Sequence, residues 1–507
     1  MSNILTSINK QGPVILVSKD ISWVFPSGYG YLAGYLKENG EDVKILFRPE
    51  DKSLYRELVK KIIELKPLVV GFGTLYPDLQ PTKKIIELLN EAGRNFPVVI
   101  GGQMVSPTPE FAVEVTGADI GVIGEGEIIL YNLVKALRND NDISTVKGLV
   151  INKGKEKILT GLGEYIEDLS NLPQIPYELF PSTEWLSIGK LLVTAPQPHH
   201  QYANRSANIH GGRGCPFNCN FCYHHSRARC RPVKDILDDV KKLKKKFRVN
   251  HVTFDDDLAI LSPRRAKELA EGMLKIKNLE YSTTIRMDIL EKIDDETLMQ
   301  MKKSGLRHLN IEVESGSQRI LDIIDKRITV NQIINGFKRL KKVGILPNAS
   351  IMIGQYTETN EDVQKSMDLM LQVIKIDKNV NWGCSITTPF PGSKLYSLCF
   401  EKGIFKNHYD FFHSLNKNQA MSGVTGNLSA MTDKEILDWK EKFKQVRKDE
   451  RAKAVGKYVC KIETLRIRAQ RFNTKLQEKY LDKLPKNIFG NTIKKHITIY
   501  MILCKLF

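Results

Sequence analysis

Three cysteines crowd one short stretch of the chain. In RGCPFNCNFC, Cys215, Cys219 and Cys222 stand in C-x3-C-x2-C spacing. Thiolates are soft donors that suit iron–sulfur clusters, and spacing this tight lets one loop wrap one metal centre. On a cubane cluster three protein ligands leave one iron open, and an open iron can coordinate a small molecule. Zinc is the competing reading: its sites pair C-x2-C motifs or add histidines, and His224 and His225 follow closely. All eight cysteines lie at or beyond Cys215 and the other five are scattered. An oxidised framework would distribute its pairs, so the pattern fits a reducing cytoplasm and a local metal site. Cys230 reads as a buried thiol, and Cys384 as core packing on a strand.

The cysteine loop needs a strand before it and a scaffold around it. From about residue 206 six strand patterns, ANIHGG, HVTFDD, EYSTTIR, LRHLNIEVE, NASIMIG and NWGCSITTP, alternate with helical ones such as VKDILDDVKKLKKK. Six βα units imply a partial (β/α)6, TIM-like barrel with its site at the strands' carboxyl ends. Ahead of it, PVILVS, DVKIL, LVVGFGTL, PVVIGG and DIGVIGEGE read as strands buried on both faces, with amphipathic helices between them. The fold class is therefore α/β, beginning with a doubly wound, Rossmann-like sheet. The proline-bearing stretch DLSNLPQIPYELFPSTEW marks a boundary. The expected division is a first domain at 1–150, a connector at 151–205, a barrel at 206–430 and a basic, mostly helical region at 431–507.

A doubly wound sheet binds its ligand beyond the carboxyl ends of its strands. The loops there carry Thr74 in GFGTLYPD, Gly101 and Gly102 in GGQMVSPTPE, and Gly124, Glu125 and Gly126 in GEGE. Taken singly these glycines are tight turns; together they would let a large flat ligand approach the backbone. None forms G-x-G-x-x-G after the first strand, which disfavours a nicotinamide cofactor.

Residues 206–400 resemble the radical S-adenosylmethionine (SAM) superfamily, whose hallmark is this cysteine loop after the first barrel strand. IEVESGSQRIL (311–321) and TTPFPGSKLY (387–396) are similar to the fourth- and sixth-strand signatures of the branch that also carries a cobalamin domain. FDDD (254–257) replaces the usual glycine-rich motif with carboxylates, as that branch does. The resemblance implies a [4Fe-4S] cluster on the three cysteines, with Tyr223, Asp256, Arg286, Glu314 and Ser315 around SAM. Asp255–Asp257 also read as a solvated turn or helix cap, Arg286 as a partner for a structural carboxylate, and His224 and His225 as loop residues. One departure stands out: the usual Gly-x-Pro-Gly-Glu-Thr appears as GQYTET (354–359), which implies a different loop path.

The first domain looks like the cobalamin-binding domain of the same branch. That likeness nominates Thr74, Gly101, Gly102, Gly124, Glu125 and Gly126 for cobalamin. Its relatives outside the branch ligate cobalt through histidine, yet no histidine precedes His199 here, so the first domain cannot supply a lower axial histidine. The branch implies a cobalamin-dependent enzyme that makes a deoxyadenosyl radical and methylates an unactivated carbon. The alternatives are ring formation or skeletal rearrangement without methyl transfer, and a non-catalytic corrinoid or redox sensor. The methylthiotransferase branch, with its cysteine-bearing first domain, is excluded because no cysteine precedes Cys215.

At 42% hydrophobic and 26% charged, the 507 residues are neither disordered nor collagen-like. No apolar run reaches the ~18 residues of a membrane span, and the first residues lack a signal-peptide pattern. The net charge is +18, and the stretch from Glu441 to Phe507 holds 18 basic and 6 acidic residues. That tail ends in HITIYMILCKLF, which fits a docked terminal element or peripheral contact with an anionic membrane. Nucleic acid is unlikely as a partner because no recognised binding module accompanies the charge. The expected partners are a small-molecule or lipid substrate and an electron donor such as flavodoxin or ferredoxin, in the cytoplasm.

Overall fold

The computed structural model describes residues 8–19, 25–181, 205–224, 226–254, 256, 259–418 and 420–456. His199, His200, His225, Asp255, Asp257 and the tail from 457 onward lie outside the described residues.

The first sheet contains β1 (Val14–Lys19), β2 (Val43–Arg48), β3 (Val69–Gly73), β4 (Val98–Gly101) and β5 (Ile120–Val122). It also takes in β6 (Leu149–Lys153) and β7 (Glu156–Leu159), in the order β2-β1-β3-β4-β5-β6-β7. The first five are parallel, and β6 and β7 add antiparallel. Apolar residues bury both faces of β1, β3 and β4, as a sheet covered on both sides requires. The covering helices are α1 (Ser27–Glu38), α2 (Tyr55–Glu64), α3 (Leu79–Glu91), α4 (Pro109–Thr116) and α5 (Gly126–Arg138). The hairpin β6–β7 crosses residue 150 and draws the sheet into the stretch expected as connector. Leu149, Val150 and Ile151 are buried, so its inner strand completes the core.

The second sheet is β8 (Ser206–Ile209), β11 (His251–Phe254), β12 (Glu280–Ile285), β13 (Leu306–Glu314), β14 (Leu346–Ile353) and β15 (Asn381–Ile386). All neighbours are parallel and consecutive, and β8 and β15 form the two edges: a barrel left open. A two-stranded ribbon, β9 (Gly212–Arg213) and β10 (Arg229–Cys230), closes the neck of the cysteine loop. Its alternation buries Arg229 and exposes Cys230. The expected buried thiol at Cys230 is thus corrected: strand alternation turns it outward.

Helices α6 (Val233–Phe247), α7 (Pro263–Leu274), α8 (Met287–Lys292), α9 (Asp295–Lys303), α10 (Gln318–Ile323), α11 (Val330–Val343) and α12 (Asn360–Ile376) follow the barrel strands. Thr329 and Thr359 open α11 and α12 through capping boxes with Gln332 and Asp362. After β15 come α13 (Lys394–Glu401), α14 (His408–Asn418) and α15 (Asp433–Val455). Among the described residues no helix is long and apolar enough to cross a membrane.

The first sheet shares a core with the helices that follow the barrel. Tyr76 of the first domain stacks on Phe390 at 5.1 Å, and Phe111 of α4 stacks on Phe412 of α14 at 4.8 Å between ring centroids. Leu395, Cys399, Phe405 and Phe411 bury into the same cluster as Ile15, Val70 and Ile100. Aromatic burial of this extent fixes the distance between the domains, and with it the width of the space between their mouths.

Candidate functional site

The carboxyl ends of β1, β3, β4 and β5 open onto a cavity of ≈ 570 Å³. Gly101, Gly102, Gly124, Glu125 and Gly126 line it from the first domain, with Tyr29 and Gly73 beside them. His210, Gly212, Arg213, Tyr223, His224 and Asp256 line it from the barrel. One space therefore touches both domains. Gly102 has φ +103°, and a Cβ there would lie 2.9 Å from the Thr74 carbonyl oxygen, so only glycine fits. Gly124 has φ +92° with open space where a Cβ would project. Thr74 is buried behind this wall: its N–H and Oγ1 donate to the Gly101 carbonyl at 2.7 and 2.9 Å and shape the glycine turn. Such a backbone cradle suits a broad, flat ligand such as a corrin ring.

Glu125 faces the cavity but its carboxylate is taken. Arg213 Nη1 donates to its Oε2 at 2.6 Å, and Arg229 Nη2 donates to Oε1. Arg213 also reaches Glu127 Oε1 at 2.6 Å. Burial works to raise the Glu125 pKa, and the two guanidiniums overcome it and hold the carboxyl below its usual range. Both arginines stand on the β9–β10 neck, so the GEGE loop of one domain grips the cysteine loop of the other.

That loop is fastened further in. Asn220 N–H donates to the Ile324 carbonyl at 3.1 Å, and its own carbonyl accepts from Leu395 N–H at 3.1 Å. Tyr223 lies against Gly392, where a Cβ would meet its ring at 2.4 Å, so the glycine of TTPFPGSKLY makes room for the ring. Cys219 is buried, Cys215 half-buried and Cys222 exposed. Among the described residues no three His, Cys, Asp or Glu side chains are drawn into a ready-made metal site. The donor set fits a cluster all the same: three thiols on one loop, soft ligands of one kind. Burial pushes the Cys219 thiol up, with Lys326 opposing it.

Arg286 and Glu314 lie at this end of the barrel. The Arg286 guanidinium sits 3.6 Å from the ring centroid of Phe217, within the cysteine loop, and pairs with Asp288 at 3.0 Å. The structural pairing weighed for Arg286 is therefore present. Glu314 takes φ +63° and meets Lys326 at 3.0 Å, while Glu312 meets the same ammonium at 2.9 Å. Lys326 is buried and stays protonated because two carboxylates hold it. The sequence offered no signal for Lys326 beyond a charge near a helix end. Ser315 is buried and bonded to Ser366 at 3.2 Å, so its hydroxyl braces α12. Asp256 accepts from Gly211 N–H and ties β11's end to β8's. In GQYTET, Thr357 takes φ +61°, so threonine is held where glycine would sit without strain.

A doubly wound domain facing an open βα barrel across one cavity, with a three-cysteine loop at its rim, defines a cofactor-bearing enzyme. The model of the Radical SAM superfamily matches residues 209–370, and that of the B12 binding domain matches residues 15–134. The chain thus carries a radical SAM domain with a B12-binding domain ahead of it. Its cofactors are a [4Fe-4S] cluster, SAM and cobalamin, and enzymes of this kind act on small molecules and need a reductant.

The chain is 27% identical over 387 residues to Uncharacterized methyltransferase PH0819 of Pyrococcus horikoshii, covering 75% of this chain and 79% of that one. It is 26% identical over 411 residues to the anaerobic magnesium-protoporphyrin IX monomethyl ester cyclase of Rubrivivax gelatinosus, covering 78% and 70%. The solved structure of the cobalamin-dependent SAM radical enzyme OxsB, with aqua-cobalamin and SAM bound, shares the fold at TM-score 0.66 and 17% identity, covering 96% of this chain and 75% of that one.

Proposed function

We propose that this enzyme transfers a methyl group to an unactivated carbon of a small molecule. The carrying observation is the shared cavity: a corrinoid on the first domain and SAM at the cysteine loop would meet in one space. The similarity to a methyltransferase over 75% of the chain supports the reading. In it Cys215, Cys219 and Cys222 hold the cluster, and Tyr223 and Asp256 border SAM with Arg286 behind the loop. Glu314 and Ser315 shape that wall through Lys326 and Ser366. Gly101, Gly102, Gly124 and Gly126 receive the corrin ring, Thr74 sets their turn, and Glu125 clamps the domains. The cofactors supply the radical and methyl chemistry; the chain's part is to juxtapose them and exclude water. Free thiols suit a reducing cytoplasm, with a flavodoxin- or ferredoxin-like reductant.

A second reading, ring formation without methyl transfer, is favoured by the cyclase relative. The test is product analysis with reconstituted protein and methyl-labelled SAM, on substrates drawn from metabolite and lipid extracts. Methyl transfer yields labelled product with both S-adenosylhomocysteine and deoxyadenosine. Deoxyadenosine with an unlabelled product would establish the second reading instead.

A further inference from the structure

We propose that His210 is an axial nitrogen donor to the cobalt of bound cobalamin, reaching it from the barrel side of the cavity. The inference rests on the cobalamin reading above. His210 follows directly on β8 and lines the cavity wall opposite the glycine loops. Residues 1–198 hold no histidine, so a histidine side chain in this space must come from beyond the first domain.

The ring of His210 is placed by packing and left open by hydrogen bonding. It meets Tyr31 edge-on at 6.2 Å between centroids, and its backbone carbonyl accepts from Arg231 Nη1 at 3.2 Å. Neither ring nitrogen has a partner among the described residues. Two other histidines are pinned: His251 bonds Ser206 and Ser282 at 2.9 and 3.0 Å, and His408 bonds Tyr396 at 2.8 Å. The ring nitrogens are thus open to the cavity, where a metal can take up the lone pair of one of them.

The charge around the ring points the same way. Burial, then Arg213 and Arg231, bring the His210 pKa down to about 4, so the ring is neutral across the physiological range. Only the neutral imidazole offers a lone pair to a metal. Arg213 and Arg231 are themselves paired with Glu125 and Glu127 and with Asp239, which holds them beside the ring. Because the barrel side is also where SAM would approach, the donor belongs to the resting enzyme and must yield that face during turnover.

The test is electron paramagnetic resonance of the full-length chain loaded anaerobically with hydroxocobalamin and reduced to the cobalt(II) state. Nitrogen coordination splits the cobalt lines, and labelling histidine with nitrogen-15 converts the expected triplets to doublets. Both His210→Ala and His210→Gln should lose the protein-derived splitting, and His224→Ala should keep it. Nitrogen-15 imidazole added to His210→Ala should restore doublets, which a misfolded protein would not do. Splitting insensitive to histidine labelling, or labelled splitting that persists in both His210 variants, overturns the assignment and leaves the proposed function standing. An unaltered chain that retains no cobalamin overturns both.

Discussion

Arg213 and Glu125 join the two domains at 2.6 Å, with side chains only 17% and 5% exposed. Arg213 stands two residues before the first cysteine of the C-x3-C-x2-C motif, and Glu125 lies in the loop that faces the cavity between the domains. With Arg229 on the other strand of the neck, the pair makes the cysteine loop and the first sheet one mechanical unit. Tilting one against the other requires breaking a buried ion pair.

Removing one member of such a pair strands the others. Glu125→Ala leaves Arg213 and Arg229 facing each other across the ribbon, and breaking a buried pair in this way costs about 3–5 kcal/mol. Urea unfolding should show that loss for Glu125→Ala, and less than the summed single effects for Glu125→Ala with Arg229→Ala. Additive losses would mean that the contact is not energetic.

Cys219→Ala should lose most cluster iron and all deoxyadenosine formation, because the other two thiolates cannot replace it. Cys399→Ala should retain iron, since Cys399 is buried in the interdomain core against the Gly426 carbonyl. Iron analysis and product chromatography check both.

Gly124→Ala separates strain from ligand approach. At φ +92° an alanine is strained by roughly 1–2 kcal/mol, but no protein atom lies within 4 Å of its Cβ. The expected result is a modest drop in melting temperature together with a large loss of retained cobalamin, read from the visible absorption of gel-filtered protein. Undiminished retention would remove Gly124 from the site.

Glu358 should give the protein an acid-side stability gain. Its Oε2 accepts from Gly354 N–H at 2.6 Å and Gln355 N–H at 3.1 Å, while Oε1 is buried with no hydrogen-bond partner among the described residues. Burial raises its pKa to about 7, so the native state keeps a proton that the unfolded chain releases. Stability from this group is full below a pH of about 4.5 and lost as pH rises to about 7, a change of about 3 kcal/mol at ~1.4 kcal/mol per pKa unit. Glu358→Gln should flatten that slope in denaturant titrations at several pH values.

Thr357→Gly should stabilise the chain. A β-branched residue at φ +61° carries about 1–2 kcal/mol of strain, and glycine's extra freedom when unfolded returns about half of it. Loss of the 3.0 Å bond from Arg319 to Oγ1 takes little, because that contact is exposed. A net gain of roughly 0.5–1 kcal/mol in urea is expected.

The strands, their parallel pairing and the cysteine loop were legible in the residues because each is local. Buried parallel strands such as Val69–Gly73 are apolar on both faces, and C-x3-C-x2-C needs only its own spacing. The resemblance carried the two cofactor domains on equally local motifs. The hairpin β6–β7 was missed because LVINK and EKIL are short, and the second strand is largely exposed.

What only the tertiary structure decided is which charges meet. Glu125 and Arg213 stand 88 positions apart, and nothing in GEGE or RGCP names the other. Their pairing depends on how two separately encoded sheets dock, which Tyr76, Phe390, Phe111 and Phe412 settle by stacking. The place of His210 at a shared cavity wall follows from the same cause, whereas Lys326 meets Glu312 and Glu314 within the barrel, where the chain after α10 returns to the end of β13. Periodicity and spacing record the forces along a segment, whereas a partner across an interface is chosen by the burial of surfaces that neither segment contains alone.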